Sequence, residues 1–218
     1  MKRVIAIDGP SGSGKTTIAK LLAKELGIHY LDTGALYRTA ALALINHDIK
    51  TEDSDDKIRG ILVKTQIAFI NGRAYLNGKD VSEDIRSAEI DHYSSVFSAR
   101  TVVRDFLLES QRKSGLNSDI VVEGRDTTTV VFPDAKKKIY LDASLEERAK
   151  RRALQFRGKG IHITIEESEK NLTNRDARDT NRNIAPLKVA SDALLIDSSN
   201  LSIEQVMKKI LDYIRTDP

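Results

Sequence analysis

Short apolar runs alternate with longer segments of helical periodicity along the chain. The runs are rich in β-branched residues, which is typical of buried strands in a parallel sheet. The segments between them place apolar residues three or four positions apart, as one face of an amphipathic helix does. This alternation predicts a doubly wound α/β fold with a five-stranded parallel sheet and ligands at its carboxyl edge. The predicted strands cover residues 3–8, 29–31, 119–122, 138–141 and 193–196.

Helices are predicted between and after these strands. The first follows a glycine-rich loop, and the second is capped by Asp32 or Thr33. Residues 145–179 predict a helical hairpin that is interrupted by the glycines and charges of residues 157–160, as in a mobile flap. The last helix has Ser202 as its cap and a single apolar face. The predicted helices cover residues 15–26, 36–45, 54–64, 88–114, 145–179 and 202–214.

Residues 66–81 interrupt this order of strands and helices. Apolar and polar residues alternate there around Asn71-Gly72, and Asn77-Gly78 follows, which is the turn chemistry of a tight hairpin. We therefore predict a small β element inserted between helices.

The composition is that of a folded globular protein and excludes several classes of site. At 218 residues, 40% hydrophobic and 31% charged, the chain fits one folded domain with its own core. The lack of cysteine excludes disulfides, thiolate metal sites and cysteine nucleophiles, and the four histidines form no HxxxH pair. No apolar stretch approaches the roughly 20 residues of a membrane span, and the N-terminus lacks a signal-peptide core. We expect a cytoplasmic protein.

Positive charge is concentrated in the C-terminal third, although the net charge is only +3. Such a cluster can be a solvated helix face, a nucleic-acid patch or a pocket for a phosphorylated small molecule. Aromatic residues amount to 5% and acidic residues are interleaved throughout, which favours the pocket over a nucleic-acid surface. The clustered basic residues are Arg148, Lys150, Arg151, Arg152, Arg157, Lys159, Arg175, Arg178 and Arg182.

Residues 9–16 (GPSGSGKT) match the phosphate-loop pattern GxxxxGK(S/T) at every fixed position, between a predicted strand and a predicted helix. Glycines let successive backbone N–H groups turn towards phosphate oxygens, and the helix N-terminus adds partial positive charge. Lys15 would contact the terminal phosphates, and Thr16 would ligate Mg²⁺. The predicted ATP-binding residues are Gly9, Pro10, Ser11, Gly12, Ser13, Gly14, Lys15, Thr16 and Thr17.

Several classes of protein carry a phosphate loop. A guanine-specific switch usually has an NKxD-type element, which residues 71–72 and 174–176 do not supply. An hhhhDE strand of the ATPase type is also missing, the nearest segment being residues 120–126. The second arginine cluster and the interrupted helical hairpin instead favour phosphoryl transfer to a second bound metabolite.

Four motifs occur in an order that is typical of one family. They are the phosphate loop, residues 31–38 (LDTGALYR), residues 123–126 (EGRD) followed by 129–135 (TVVFPDA), and residues 175–182 (RDARDTNR). Together they resemble the bacterial cytidylate kinases. The resemblance covers nearly the whole chain, because it continues through residues 141–148, 185–187 and 197–198 and into the final helix.

The resemblance implies the fold of nucleoside monophosphate kinases. This is an α/β P-loop kinase fold with a five-stranded parallel sheet and helices on both faces. The chain would form a single kinase unit over residues 1–218, with a helical lid over 148–182 and a monophosphate-binding lobe over 36–114 that carries the small β insertion. The core would comprise residues 1–35, 115–147 and 183–218.

The resemblance also implies a monomeric, cytoplasmic enzyme that uses ATP and Mg²⁺ to phosphorylate CMP and dCMP, without a membrane or nucleic-acid partner. A cytosine pocket needs a carboxylate or carbonyl acceptor beside hydroxyl or guanidinium donors, which Asp126, Ser95 and Arg104 would supply. Arginine forks would bind the acceptor phosphate bidentately. The implied substrate-binding residues are Thr33, Arg38, Ser95, Arg104, Arg125, Asp126, Arg175, Asp179 and Arg182.

Catalysis in such an enzyme is mostly positioning and charge stabilisation, because the attacking group is already a phosphate oxygen. We therefore assign no general base. Arg175, Asp179 and Arg182 are spaced i, i+4, i+7, which predicts one shared helical face. By resemblance, Arg151 and Arg157 would also contact ATP. The implied catalytic residues are Lys15, Arg125, Arg148, Arg152, Arg175 and Arg182.

Two pairs of residues depart from the family's pattern. Thr16-Thr17 stands where many members have glycine or serine after the lysine, and Thr127-Thr128 replaces a hydrophobic residue and a glycine after Asp126. A β-branched residue tolerates positive φ poorly, so a family glycine with positive φ at position 128 would require a rearranged loop in this chain.

Two other functions stay open from the sequence. A related kinase could act on UMP or another monophosphate, and Asp126→Asn should then leave the choice of acceptor unchanged. A non-catalytic module could use the phosphate loop as a switch and the basic cluster to hold RNA. It would bind nucleotide without monophosphate-dependent turnover.

Overall fold

The structure, a computed structural model, describes residues 2–158 and 160–216. Its elements follow the alternation predicted from the sequence. The strands are β1 (Val4–Asp8), β2 (His29–Asp32), β3 (Ile67–Ile70), β4 (Arg73–Leu76), β5 (Lys79–Asp80), β6 (Ile120–Gly124), β7 (Lys137–Asp142) and β8 (Leu194–Asp197). The helices are α1 (Lys15–Leu26), α2 (Thr33–Ile45), α3 (Asp55–Leu62), α4 (Ala88–Phe97), α5 (Thr101–Asn117), α6 (Leu145–Arg157), α7 (Ile165–Asn181) and α8 (Ile203–Arg215).

The main sheet has the strand order β2, β6, β1, β7, β8, and each neighbouring pair is parallel. Alternate residues of a strand point to opposite faces, so Ala6 enters one apolar core while Ile5 and Ile7 enter the other. The first core contains residues of α2, α3, α4 and α5, and the second contains residues of α1 and α8. The predicted five-stranded parallel sheet with helices on both faces is confirmed.

Acidic side chains lie where the central strands end. Parallel strands present their carboxyl ends at one edge, so Asp8, Asp32 and Glu123 share the edge at which α1 and α2 begin. Asp32 Oδ1 accepts a hydrogen bond from the backbone N of Ala35 at 2.8 Å. Asp32 rather than Thr33 is therefore the N-cap of α2.

The inserted β element is larger than the predicted hairpin. β3, β4 and β5 form a three-stranded antiparallel sheet with two-residue connections at Asn71-Gly72 and Asn77-Gly78. All four turn residues have positive φ, at 51°, 79°, 50° and 80°, as type I′ turns require. Each Asn-Gly pair thus makes its own hairpin turn, and the second pair adds the short strand β5.

The single helix predicted over residues 88–114 is two helices, α4 and α5. Between them, Arg100 has an extended backbone with φ −84° and ψ 128°. Its guanidinium donates to the carbonyl oxygens of Thr51 (2.8 Å) and Asp53 (2.9 Å) and pairs with Asp55. These contacts tie the junction to the segment before α3. Helical periodicity does not record such long-range contacts.

α6 and α7 form the predicted helical hairpin, in which α6 ends at Arg157 and α7 begins at Ile165. Part of the predicted interruption, Lys159, lies outside the described residues. Thr164 and Glu167 form a capping box at the start of α7, because each side chain accepts from the other's backbone N, at 3.1 and 2.8 Å.

The final helix begins as predicted at the N-cap Ser202, and its buried face includes Val206 and Ile210. Within residues 2–158 and 160–216, no helix is both long and apolar enough to span a membrane.

Candidate functional site

A cleft of about 670 Å³ opens at the carboxyl edge of the main sheet. A volume of this size suits a small-molecule ligand. The predicted residues Gly9, Pro10, Arg104, Arg148 and Arg157 do not line it. The predicted residues that do line it are Ser11, Gly12, Ser13, Gly14, Lys15, Thr16, Thr17, Thr33, Arg38, Ser95, Arg125, Asp126, Arg151, Arg152, Arg175, Asp179 and Arg182.

The phosphate loop connects β1 to α1 through backbone that glycine alone adopts without strain. Gly9 has φ 152°, and a Cβ there would lie 2.0 Å from the carbonyl oxygen of Leu141. Gly14 is the N-cap of α1 with φ 94°. The loop therefore brings backbone N–H groups and a helix N-terminus to the cleft, the arrangement that binds phosphate.

Lys15 is buried beside this loop. Its Nζ donates to the carbonyl oxygen of Pro10 at 2.7 Å and contacts the Ser13 hydroxyl at 3.4 Å. Burial, reinforced by the Arg125 guanidinium, lowers the pKa of Lys15 to about 7. An ammonium in such surroundings is stabilised by any anion that enters the loop.

Glu123, at the end of β6, faces Thr16. Thr16 Oγ1 donates to Glu123 Oε1 at 2.6 Å, and the Tyr30 hydroxyl donates to the same oxygen at 3.1 Å. Burial and the nearby Asp32 raise the pKa of Glu123. Hydroxyl and carboxylate oxygens are hard ligands that Mg²⁺ uses together with phosphate oxygens, so this pair fits the predicted Mg²⁺ site. Sequence reasoning did not select Glu123, and the available signal was an acid ending the apolar segment 120–122.

Of the residues predicted to bind a base, Ser95 and Asp126 line the cleft, and Arg104 pairs with Asp126. Asp126 is buried, pairs with Arg104 and accepts from Arg182 Nη2 at 3.3 Å. Burial raises the pKa of Asp126. The hydroxyl of Ser95 is buried in the same cleft and has no hydrogen-bond partner within the described part of the chain. A carboxylate and an unsatisfied hydroxyl are thus available to a ligand.

Arg125 and Asp179 join the end of β6 to α7. Arg125 Nε donates to Asp179 Oδ2 at 2.9 Å. Burial alone would raise the pKa of Asp179, but the guanidiniums of Arg125 and Arg175 lower it. The prediction that Arg175, Asp179 and Arg182 share one helical face is wrong for Arg182, which is the C-cap of α7 and has ψ 141°. The chain has left the helix there, yet Arg182 still reaches Asp126.

Asp91, a residue that sequence reasoning missed, gathers three of the predicted arginines. Its carboxylate lies 2.7 Å from Arg175 Nη1, 2.8 Å from Arg152 Nη2 and 3.9 Å from Arg38 Nη1. The Nε atoms of Arg38 and Arg175 are buried without a hydrogen-bond partner among the described residues. The cluster therefore retains donors for an anion. Asp91 precedes Ser95 by one turn of α4, which was the only signal for it.

The other predicted arginines of α6 separate into two groups. Arg148 donates to the carbonyl oxygens of Ser11 (3.1 Å) and Ala143 (2.9 Å), and Arg151 donates to that of Ser198 (2.8 Å). Arg148 and Arg151 therefore stabilise the phosphate loop and the segments packed beside it. Arg157, in contrast, is exposed at the end of α6, away from the cleft lining.

Thr33 and Gly124 form a close crossing beside the cleft. Thr33 Oγ1 donates to the carbonyl oxygen of Glu123 at 2.8 Å. A Cβ on Gly124 would lie 2.5 Å from Thr33 Oγ1 and 2.6 Å from Thr127 Cγ2, so only glycine fits there. Glycine at position 124 therefore permits the close approach of Thr33 and Thr127 to the end of β6.

The departure at Thr127-Thr128 causes no backbone strain. Among the described residues, the non-glycine positions with positive φ are Asp48, Asn71, Asn77 and Ala185. Thr128 is not one of them, because Thr127–Val131 forms a π-helical turn after Asp126. No rearrangement around a positive φ is required.

Comparisons with known proteins identify the family of the chain. A family model described as cytidylate kinase matches residues 5–216. A cytidylate kinase from Thermosipho melanesiensis is 50% identical over 211 residues, which cover 97% of this chain and 96% of that protein. A cytidylate kinase from Thermodesulfovibrio yellowstonii is 47% identical over 224 aligned residues, which cover all of both chains.

The fold also has a match among solved structures. The crystal structure of an uncharacterized protein from Eubacterium ventriosum superposes with a TM-score of 0.58. The match covers 99% of this chain and 100% of that one. At 14% identity, this similarity is evidence for the fold alone.

Proposed function

The chain belongs to the cytidylate kinase family, and from that premise we propose that it transfers the terminal phosphoryl group of ATP to CMP and dCMP, giving CDP and dCDP. The enzyme is a phosphotransferase whose acceptor is a phosphate oxygen. One observation carries the assignment of the acceptor. The buried carboxylate of Asp126 lines the same cleft as the hydroxyl of Ser95, which has no hydrogen-bond partner among residues 2–158 and 160–216.

Asp126 supplies selectivity for cytosine. The exocyclic amino group of cytosine donates a hydrogen bond that a carboxylate accepts, whereas uracil presents a carbonyl oxygen at the same place and would be repelled. Arg104 and Arg182 hold this carboxylate from two sides. Ser95 donates or accepts at the base edge, so the pocket distinguishes CMP and dCMP from UMP.

Arginines bind the acceptor phosphate and the phosphoryl group in transfer. Arg38 and Arg125 form the clamp on the acceptor phosphate. Arg152 and Arg175 approach from α6 and α7 and stabilise the charge that spreads over the transferring group. The Nε atoms of Arg38 and Arg175, which are buried and have no hydrogen-bond partner in the described part of the chain, support this role, because an anion there would accept from them.

The donor half of the site binds ATP through the phosphate loop. Lys15 holds the terminal phosphates, and the attack needs no general base because the acceptor is already ionised. Thr16 and Glu123 would hold Mg²⁺, which, when bound, neutralises charge on the phosphates. The fit rests on the short contact between a hydroxyl and a carboxylate at the start of α1.

The parts of the kinase follow from the same assignment. We propose a core of residues 1–35, 115–147 and 183–218, a monophosphate-binding lobe over 36–114 and a lid over 148–182. The three-stranded insertion and α4 belong to the lobe, and the helical hairpin of α6 and α7 belongs to the lid. The ion pairs of Asp91 on α4 with Arg152 and Arg175 support closure of the lid onto the lobe.

We also propose that the enzyme is a cytoplasmic monomer. The support for a monomer is that one chain supplies every residue of the site described above. Light scattering behind size-exclusion chromatography tests it, and a stable dimer would contradict it.

A coupled assay of ADP formation tests the function. CMP, dCMP, UMP, AMP and GMP are supplied separately with ATP and Mg²⁺, and Lys15→Ala serves as the inactive control. Turnover mainly with CMP and dCMP is the expected result. Preference for UMP or another monophosphate would favour the related kinase. Nucleotide binding without turnover would favour the non-catalytic module.

A further inference from the structure

Asp8 forms a buried clip with two consecutive threonines. Asp8 Oδ1 accepts from Thr127 N (2.9 Å) and Thr127 Oγ1 (2.7 Å), and Asp8 Oδ2 accepts from Thr128 N (2.7 Å) and Thr128 Oγ1 (2.6 Å). The three residues are at most 1% exposed. No lysine or arginine of the described ranges forms an ion pair with Asp8, so these four donors are its immediate compensation.

The clip joins the two halves of the cleft. Asp8 is the last residue of β1 and directly precedes the phosphate loop. Thr127 and Thr128 directly follow Asp126 and begin the turn in which the carbonyl oxygen of Asp126 accepts from Val130 N (2.9 Å) and Val131 N (3.1 Å). The donor loop is thereby fastened to the segment that presents the base-binding carboxylate.

Backbone pairing alone does not reach this point. The parallel register of β1 and β6 ends with Asp8 opposite Gly124. Arg125 and Asp126 lie beyond that last pair, where no ladder bond fixes their distance from the phosphate loop. The side chain of Asp8 spans this gap and accepts hydrogen bonds from Thr127 and Thr128, which follow Asp126 in the chain.

We propose that the hydroxyls of Thr127 and Thr128 are positioning groups for phosphoryl transfer, which act through Asp8 to hold Arg125 and Asp126 in register with the phosphate loop. This inference rests on the proposed function. The chemical step requires the acceptor oxygen and the donor phosphorus to be aligned, and a displacement of about 1 Å can cost as much as 100-fold in rate. The backbone N–H groups supply half of the clip, and the hydroxyls supply the other half.

Valine and serine substitutions separate the hydroxyl from the methyl group. Thr127→Val and Thr128→Val keep the shape and remove the hydroxyl, while Thr127→Ser and Thr128→Ser keep the hydroxyl and remove the methyl. We expect the double valine variant to lose about 10-fold in kcat and to raise KM for CMP about 3-fold, with KM for ATP changed less than about 2-fold. The double serine variant should stay within about 2-fold of wild type in kcat, in KM for CMP and in KM for ATP.

Thr129→Val is the matched control. Thr129 is the next residue, and its hydroxyl is buried without a hydrogen-bond partner in the described chain. Its loss should leave kcat and both KM values within about 2-fold of wild type, because no hydrogen bond is removed. Asp8→Asn is a less useful variant, because its amide NH2 group would lie against two of the four donors and the chain can then fail to fold. The threonine variants therefore test whether the hydroxyls position Arg125 and Asp126.

The outcomes separate the inference from the proposed function. A wild-type chain that does not phosphorylate CMP would overturn the proposed function and this inference with it. An active wild type whose valine variants melt at lower temperature but keep kcat and KM would overturn only the inference, since the clip would then be purely structural. Equal losses in the serine and valine variants would also overturn it, because retention of the hydroxyls would then give no advantage over their removal.

Discussion

The donor and acceptor halves of the cleft are built in different ways. The donor half is one stretch of chain, residues 9–17, whose shape comes from glycine backbone and from the contact of Lys15 with Pro10. The acceptor half assembles side chains from α2, α4, α5, α7 and the segment that follows β6, between residues as distant as Arg38 and Arg182. The acceptor half holds its charges in ion pairs, whereas no described carboxylate lies within ion-pair distance of Lys15.

This difference concerns stability as well as binding. A buried ammonium that has no ion pair with a described carboxylate destabilises the folded chain, and the pKa of Lys15 is low for this reason. Binding of an anion beside Lys15 would remove this cost. In the acceptor half, removal of one charge leaves its partner buried and uncompensated. Replacement of Lys15 by an uncharged residue should therefore cost activity and increase stability. Substitutions in the acceptor half should cost both.

The largest effect on activity is expected for Lys15→Met. Loss of the ammonium removes the charge that stabilises the transferring phosphate, so kcat/KM should fall at least about 1,000-fold. The coupled assay with CMP measures it. Lys20→Met, on the exposed side of the same helix, is the control and should remain active. A loss of less than about 10-fold in Lys15→Met would contradict the assigned role.

The same variant should be more stable than the wild type at neutral pH. The pKa of Lys15 is about 7 in the folded chain and 10.5 in the unfolded chain, so the unfolded chain binds more protons between these values. Wild-type stability therefore rises with pH in this window, and the gain in Lys15→Met, about 1–3 kcal/mol at pH 7, should shrink towards pH 10.5. Urea unfolding without nucleotide measures it. If Lys15→Met were less stable than the wild type at pH 7, the proposed difference in stability between the donor and acceptor halves would be wrong.

Asp126→Asn should have the largest effect on selectivity. The amide cannot offer cytosine two acceptor oxygens, and Arg104 and Arg182 lose the charge they pair with. We expect the ratio of kcat/KM for CMP to that for UMP to fall about 100-fold, and the free energy of unfolding to fall by about 2–4 kcal/mol. Asp134→Asn, which changes an exposed carboxylate, should leave both unchanged. An unaltered ratio in Asp126→Asn would favour the alternative acceptor.

Asp91→Asn should have a smaller effect that depends on salt. Without the carboxylate, Arg38, Arg152 and Arg175 repel one another, so kcat/KM should fall about 10-fold at low ionic strength and less at high ionic strength. Kinetics at several KCl concentrations measure this, with the exposed Asp105→Asn as the control. A higher kcat/KM in Asp91→Asn would instead mean that Asp91 competes with the phosphates.

The donor half could be predicted from the sequence because its residues are contiguous. A regular pattern of glycine, lysine and threonine between a strand and a helix specifies the loop almost completely, and the structure places Ser11 to Thr17 in the cleft lining. The five strands of the main sheet were accessible for a similar reason. Each is a local apolar run, and the alternation with helices fixes the parallel arrangement.

The acceptor half could be located only through the family resemblance. Periodicity does not show that Asp91 would meet arginines from three helices, or that Asp8 would bind threonines more than a hundred residues away along the chain. The break at Arg100 escaped prediction for the same reason, since it depends on contacts with residues 51–55. Partners of this kind are set by tertiary structure and leave no local signal.

The smallest effect is expected within α6, where two arginines have different surroundings. Arg152 points to Asp91 and the cleft, so Arg152→Ala should lower kcat/KM about 10-fold or more. Arg157, although the resemblance implies an ATP contact for it, is exposed outside the cleft lining, so Arg157→Ala should change kcat/KM and KM for ATP by less than about 2-fold. Parallel kinetics of the two variants decide the matter. A rise in KM for ATP in Arg157→Ala that is as large as the fall in kcat/KM in Arg152→Ala would contradict this expectation. It would mean that α6 moves when ATP binds and brings Arg157 into contact with the phosphates, because Arg157 lies outside the cleft lining in the free chain.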